Sequence, residues 1–532
     1  MDERKGDWAM KTVWHNGKIY TMRHEGEQVE AILTFGGKVI QIGTYHTLKE
    51  EADREVNLQG AVMYPGFIDN HMHMIGHGER LRNVDLSTVH SAEEMLTVLR
   101  NAAKNLAKDE WLIGEGWDEN QFEENMIPTA KQLNEVTENP IYLKRTCRHA
   151  ALVNETALQL ANIDDQTKNP DDGEIVRDEA GHATGYLLEG AQQLVFQLLA
   201  EPTVNQLTTS LRIAVDHLLS VGLTGAVTDD LGYYASYERP LQAFKQVVTD
   251  DNPFRAHLLR RSTVFQQMME DDITVAQPWL TLGEMKFFID GSLGGRTALL
   301  RAPYCDALET KGIAVHTDEE IEQLVNMARA YGEAVAVHAI GDGAVEKIVH
   351  LLEKYPPSYG KRDRLIHVNV LSDELVERML ALPIVLDIQP VFVSSDFPWV
   401  MERLGKNRLD WAYAWRKLID KGFICGAGSD APIEDVNPLY GIYAAVTRRK
   451  IGETHSGYLP EEKLTRYEAV QLFTTGSAAT IGLAHVRGKI DVGYDADFTI
   501  LDRDLFTVPE EEIVQATVEM TIIAEEVRYK RK

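Results

Sequence analysis

The sequence predicts an α/β protein whose centre is a parallel sheet of strand–helix units, framed by a small β domain drawn from both ends of the chain. Three observations carry this expectation. Between Thr224 and Gly428, short β-branched apolar runs alternate with amphipathic helical stretches, the pattern of βα units. Both ends of the chain carry short β-type segments separated by turn signals. Between them, the apolar run Tyr64-Pro65-Gly66-Phe67-Ile68 leads through Asp69-Asn70 into His71-Met72-His73, a His-x-His pair at a strand end.

The first β-type segments are Thr12-Val13-Trp14 and Lys18-Ile19-Tyr20-Thr21-Met22 around the turn signal Asn16-Gly17. Ala31-Ile32-Leu33-Thr34-Phe35 and Lys38-Val39-Ile40-Gln41-Ile42 follow, across Gly36-Gly37. These read as hairpins. The far end repeats the pattern over 488–493, 497–501 and 517–523. A single β domain of residues 1–64 plus 485–532 is therefore expected. Residues 65–484 then form the βα body. Its candidate strands are 224–228, 284–290, 334–338, 364–367, 384–388 and 423–428, with helices such as 319–331 and 342–355 between them. Repetition over this length favours a closed (β/α)8 TIM-type barrel; the pattern alone also admits an open doubly wound sheet. The stretch between the first strand and Thr224 is about a hundred residues too long for one βα unit, which implies an insertion at about 86–200 near the barrel mouth.

A chain of 532 residues, 44% hydrophobic and 26% charged, has enough apolar material for a large core and an accessory domain. Its formal charge of -28 disfavours nucleic acid and anionic membranes as partners, since both call for a basic footprint. Cys147, Cys305 and Cys425 are odd in number and far apart, so neither a disulfide framework nor a thiolate zinc site is expected. No signal-peptide pattern follows Met1, and no window is apolar for long enough to span a bilayer. The expected location is the cytoplasm.

The chemistry lies at strand ends. Residues i and i+2 of a strand share a face, so His71 and His73 converge on one point, as a borderline metal such as zinc requires. In 284–290 the same alternation puts Lys286 and Asp290 on one face, aiming a lysine into the barrel, where an unpaired ammonium is costly. It must be paired or chemically changed. His338, His367 and Asp430 end or follow later strands. Singly, each has an ordinary reading: a hydrogen-bonded core histidine, a snorkelling lysine, or a turn aspartate in Ser429-Asp430-Ala431-Pro432. Their joint order on successive strand ends is the informative feature.

That order, with Pro65-Gly66-Phe67-Ile68-Asp69 at the front and Gly488-Lys489-Ile490 and Asp495-Ala496-Asp497-Phe498 at the back, resembles the amidohydrolase superfamily. Gly116-Trp117-Asp118, Asp290-Gly291-Ser292-Leu293-Gly294-Gly295-Arg296, His338-Ala339-Ile340-Gly341-Asp342 and Gly428-Ser429-Asp430-Ala431-Pro432 are similar to its YtcJ-like, N-substituted formamide deformylase and AepA-like branch. The resemblance implies a (β/α)8 barrel with a flanking β-sandwich and one or two divalent ions, most often zinc. His71, His73 and Asp430 would hold the buried ion and His338 and His367 the more exposed one. Lys286 would bridge them as a carbamate formed with carbon dioxide.

The implied activity is hydrolysis of a C–N bond, of amide, cyclic amide or N-formyl type, in a small molecule by metal-bound hydroxide, with Asp430 as proton shuttle. Trp117 and Asp290 are candidate substrate contacts; Arg296 either anchors an acidic substrate group or salt-bridges within its loop. A homo-oligomer is the family expectation. The chain departs from the branch at Ile366, where a glutamate is usual before the histidine, and at Arg148-His149, where Gly-His is usual. The rival readings are a mononuclear deaminase, disfavoured because no glutamate closely follows His338, and a non-catalytic metal-binding regulator, disfavoured by Asp430 beside a full ligand set.

Overall fold

The computed structural model describes residues 10–532, except 105, 107, 109, 120, 121, 123–125, 146–149, 171, 172, 200, 235 and 277. Arg148 and His149 lie outside the described residues. The chain separates into two compact units, one of residues 79–203 and one formed by the rest.

The larger unit is built on eight strands: β1 (Phe67–Met72), β2 (Leu223–Leu231), β3 (Arg255–Arg261), β4 (Leu280–Phe288), β5 (Val335–Ala339), β6 (Asp363–His367), β7 (Ile384–Ile388) and β8 (Cys425–Ala427). They lie in sequence order in one sheet, each parallel to the next. β1, β2, β6 and β7 are buried at every position, as expected of parallel strands covered on both faces. The sheet is almost closed. No ladder joins β8 to β1, but the segments leaving them are linked, Asp430 N–H donating to His71 O and His73 N–H to Ala431 O, both at 2.7 Å. Helices over Asp318–Ala330 and Asp342–Lys354 fall within a residue of the expected ones. The first is stopped at its N-terminus by a capping box, Thr317 with Glu320, that satisfies two otherwise orphaned N–H groups.

The terminal β domain is one continuous hydrogen-bonded path of strands from both ends of the chain, not two separate sheets. Val62–Pro65 pairs with Phe498–Leu501, and Trp14, Ile32, Met63, Phe498, Ile500 and Ile522 share its core. Two details differ from expectation. Thr12–Tyr20 is one strand, and Asn16, at φ 58°, forms a bulge in it instead of a hairpin turn. Residues 488–493 are a loop that still buries Ile490 completely. The Asp497 carboxylate accepts from Arg255 at the start of β3, tying this domain to the barrel sheet.

The smaller unit has its own six-stranded sheet, including Leu112–Trp117 and Ile141–Arg145, and its own core of Leu86, Met95, Leu99, Leu133 and Leu143. Trp117 belongs to that core. It is fully buried and donates its indole N–H to Leu143 O at 3.1 Å, so packing, not substrate contact, accounts for it. Among the described residues, no helix is long and apolar enough to cross a membrane.

The seam between β1 and β8 tolerates no side chain at Gly428, where a Cβ would meet the His71 backbone and the Asp69 carboxylate. Gly428→Ala is expected to cost about 1–3 kcal/mol of stability, readable as a lower midpoint in thermal or urea unfolding.

Candidate metal centre

His71 and His73 leave the end of β1, and the backbone link to β8 brings Asp430 against both. Asp430 Oδ1 lies 3.5 Å from His71 Nε2 and 3.4 Å from His73 Nε2. These are the edge lengths of a tetrahedron, about 3.3–3.6 Å, when ligand bonds are about 2.0–2.2 Å. All three donor atoms lie within 4.8 Å of one another. The residues present therefore fit a divalent ion. Asp430 stands at φ 58° and His367 at φ 76°, both in the left-handed region where a non-glycine residue is strained, a cost often found at functional sites.

Hydrogen bonds set which imidazole nitrogen is free. A carbonyl oxygen can only accept, so the ring nitrogen facing it carries the proton. His73 Nδ1 faces Asp229 O at 2.8 Å, which leaves Nε2 as the nitrogen directed at Asp430 and the one a metal would take once its proton is displaced. His367 Nδ1 faces Gln389 Oε1 at 2.7 Å, which frees its Nε2. Gln389 thus orients His367 from β7's exit, in place of the glutamate that Ile366 lacks. His338 is turned the other way: Nε2 faces Gly291 O at 3.1 Å, leaving Nδ1 free. The rings of His338 and His367 are 4.5 Å apart, and His367 is 5.6 Å from His71, so the four imidazoles form one cluster.

Lys286 is fully buried in the middle of it. Its Nζ lies 3.4 Å from His71 Nε2 and 3.9 Å from Asp229 Oδ2, outside a tight ion pair with any carboxylate. Burial depresses this ammonium to about 8, with Asp229 and Asp430 opposing. Burial and the neighbouring Lys286 charge also hold His338 neutral, down to about 3. His73 goes the other way. Burial works against its charge, but Asp430, Asp229 and Asp230 prevail and raise it to about 9.

Beneath the cluster lies a layer of paired charges, Arg364 and Asp387 buried and His257 and Glu284 half-buried. Arg364 of β6 holds Asp387 of β7 at 2.7 and 2.8 Å, and His257 of β3 meets Glu284 of β4 at 3.0 Å. Asn70 of β1 donates to Asp387. Burial lifts Asp387 to about 6 against the pull of Arg364, whereas Arg364 and His257 overcome the burial of Glu284 and hold it below the usual carboxylate range.

The remaining expected residues have other work. Asp290 is buried and accepts N–H bonds from Leu299, Ile340 and Gly341 at 2.8–3.0 Å, joining the end of β4 to that of β5. Both of its oxygens are engaged by backbone, so a structural role accounts for it. Arg296 is spent on Asp306, at 2.7 Å, within its own exposed loop. Sequence reading missed Asp229, Gln389, Arg261 and Tyr233. Asp229 was discoverable, as it directly follows the expected strand 224–228, but its neighbours gave no metal-binding pattern.

The family model described as "Amidohydrolase family" matches residues 54–529 of the chain. The chain belongs to the amidohydrolase family. It is 44% identical over 529 residues to the putative amidohydrolase YtcJ of Bacillus subtilis (strain 168), covering 98% of this chain and all of that one. It is 28% identical over 549 residues to N-substituted formamide deformylase of Arthrobacter pascens, covering 97% and 98% of the two chains. A crystal structure of an uncharacterized metal-dependent hydrolase from Pyrococcus horikoshii OT3 matches with TM-score 0.78 at 30% identity, over 94% of this chain and 99% of that one. Membership makes this amidohydrolase a hydrolase.

A metal ion must displace the proton that three carboxylates stabilise on His73. Below about pH 9 that competition weakens binding, so apparent affinity is expected to rise about tenfold from pH 7 to pH 8. Chelator competition at the two pH values reads this directly. A pH-independent affinity would show that His73 is already neutral.

Proposed function

We propose that this amidohydrolase is metal-dependent and hydrolyses a carbon–nitrogen bond other than a peptide bond, of amide, cyclic amide or N-formyl type, in a small molecule. The observation that carries the reading is Asp430 placed 3.4–3.5 Å from both His-x-His imidazoles, with the ring of His367 in contact with those of His71 and His338. The relatives point the same way: one is named a deformylase of N-substituted formamides and one a metal-dependent hydrolase.

One divalent ion would be held by His71, His73 and Asp430, and a second by His338 and His367; zinc suits this imidazole and carboxylate set. Bound there, such ions supply Lewis acidity and acidify water to near neutrality. Asp430 accepts the proton of the attacking water and delivers it to the departing nitrogen. Lys286, uncharged enough near neutral pH for its amine to add to carbon dioxide, would bridge the two sites as a carbamate. That conversion replaces a buried cation by an anion between two cations, which removes the cost of its burial. Gln389 and the Asp229 carbonyl hold His367 and His73 in the tautomers this work requires.

Metal content measured by elemental analysis on protein purified without added metal, with Lys286→Ala alongside, tests the centre. About two ions per chain in the parent and fewer in the variant are expected. One ion, unaffected by the variant, would overturn the bridged site, and none after supplementation would overturn the metal-dependent reading. Once a substrate is found by screening amides, cyclic amides and N-formyl amines for amine release, Asp430→Asn is expected to lower kcat about 10²–10⁴-fold. An unchanged kcat would remove Asp430 from the proton path.

A further inference from the structure

Arg261 closes β3 in register with Lys286 of β4, so the two side chains share the face that looks into the barrel. Two aromatic rings hold its guanidinium. The guanidinium carbon lies 3.8 Å from the Tyr233 centroid and 4.6 Å from that of Phe288. Each ring also touches a metal-site histidine: Tyr233 meets His73 edge-on at 5.3 Å, and Phe288 stacks on His338 at 4.7 Å. A single ring therefore separates the cation from the candidate metal centre on either side.

The guanidinium is held but not spent. Its nearest carboxylate, Asp229 Oδ2, is 3.7 Å from Nε, beyond hydrogen-bond reach. Asp229 is itself fully buried and shared with Lys286. Among the described residues, Arg261 makes no guanidinium hydrogen bond, and its side chain keeps 21% exposure. Two rings hold the guanidinium carbon while its N–H groups, unbonded among the described residues, are left to meet a partner. A planar cation presented edge-on is matched by a carboxylate through two parallel hydrogen bonds. Arg296, for which the sequence offered an acid anchor or a loop ion pair, is bound to Asp306, whereas Arg261 is a cation without a hydrogen-bonded carboxylate beside the metal-site histidines.

We propose that Arg261 recognises a carboxylate on the substrate, so that the preferred substrates are N-acyl or N-formyl compounds carrying a carboxylate close to the scissile bond, as in N-acylated amino acids. This rests on the hydrolase reading above and narrows its substrate class. Arg261 acts on binding and orientation, and the carboxylate it holds aims the carbonyl at the His71, His73 and Asp430 corner.

The test compares N-formyl amino acids with their carboxamides in metal-loaded parent, Arg261→Gln and Arg261→Lys proteins, together with calorimetric binding of phenylacetate, which has no scissile bond. The parent is expected to prefer the carboxylate. Arg261→Gln is expected to cut the kcat/KM ratio of carboxylate over carboxamide about ten- to a hundredfold, mainly through KM, and to weaken phenylacetate binding similarly. Arg261→Lys, which keeps the charge and loses the fork, is expected to fall between and supplies the comparison if the glutamine variant does not fold. A parent that favours the carboxamide, an equal loss on both substrates, or phenylacetate binding indifferent to Arg261 would overturn the proposal. If neither substrate is turned over by any of the three proteins, the N-formyl amino acid class is overturned while the hydrolase reading still rests on the metal-content test, and phenylacetate binding decides the role of Arg261.

Discussion

Two backbone hydrogen bonds, from Asp430 to His71 and from His73 to Ala431, join the ends of a sheet that is otherwise laddered from strand to strand. The residues they join are the donors of the candidate metal corner. Closing the sheet and assembling the site are therefore one event. An aspartate from the last strand, more than three hundred positions along the chain, reaches the first strand's histidines only when all eight strands are in place. Gly428 makes the approach possible, because its missing Cβ leaves room for the His71 backbone and for Asp69, which accepts from His71 and Ser429 N–H groups on both sides of the seam.

Much of this was legible in the sequence for a simple reason. Parallel strands buried on both faces are short apolar runs, and a polar residue at the end of such a run is conspicuous. His71, His73, His338, His367 and Asp430 stand out in that way, and Lys286 stands out by alternation inside a strand. What was not legible depends on partners that no local pattern reveals. Gln389 matters because its amide oxygen meets His367, and Arg261 because two rings from neighbouring segments enclose it. Trp117 and Arg296 show the converse. Their motifs were noticeable, but the structure spends one on packing and the other on a loop ion pair. The Asn16-Gly17 signal was misread because the same left-handed residue serves a turn or a bulge, and register across several strands decides which.

The charged layer under the metal corner gives the site a stiff floor. Leaving buried Arg364 and Asp387 and half-buried Glu284 and His257 unpaired would be very unfavourable, and pairing across β3, β4, β6, β7 and β1 fixes how those strands sit relative to one another. Replacing such a layer by hydrocarbon would often be neutral for stability. Its value here is geometric: strand ends that carry ligands are held at fixed spacing by bonds a few ångströms below them.

The terminal domain imposes an order on biosynthesis. Tyr64, in the strand just before β1, accepts from Leu505 N–H, 441 positions further on, and its strand pairs with Phe498–Leu501. At about 5–20 residues per second, the ribosome needs tens of seconds to supply that partner. Throughout that interval the strand over Val62–Pro65 presents an unpaired apolar edge to the cell, a surface that chaperones bind and that other nascent copies can capture. A chain stopped before residue 498 would leave the exposure permanent, which links the solubility of this enzyme to completion of its last strands.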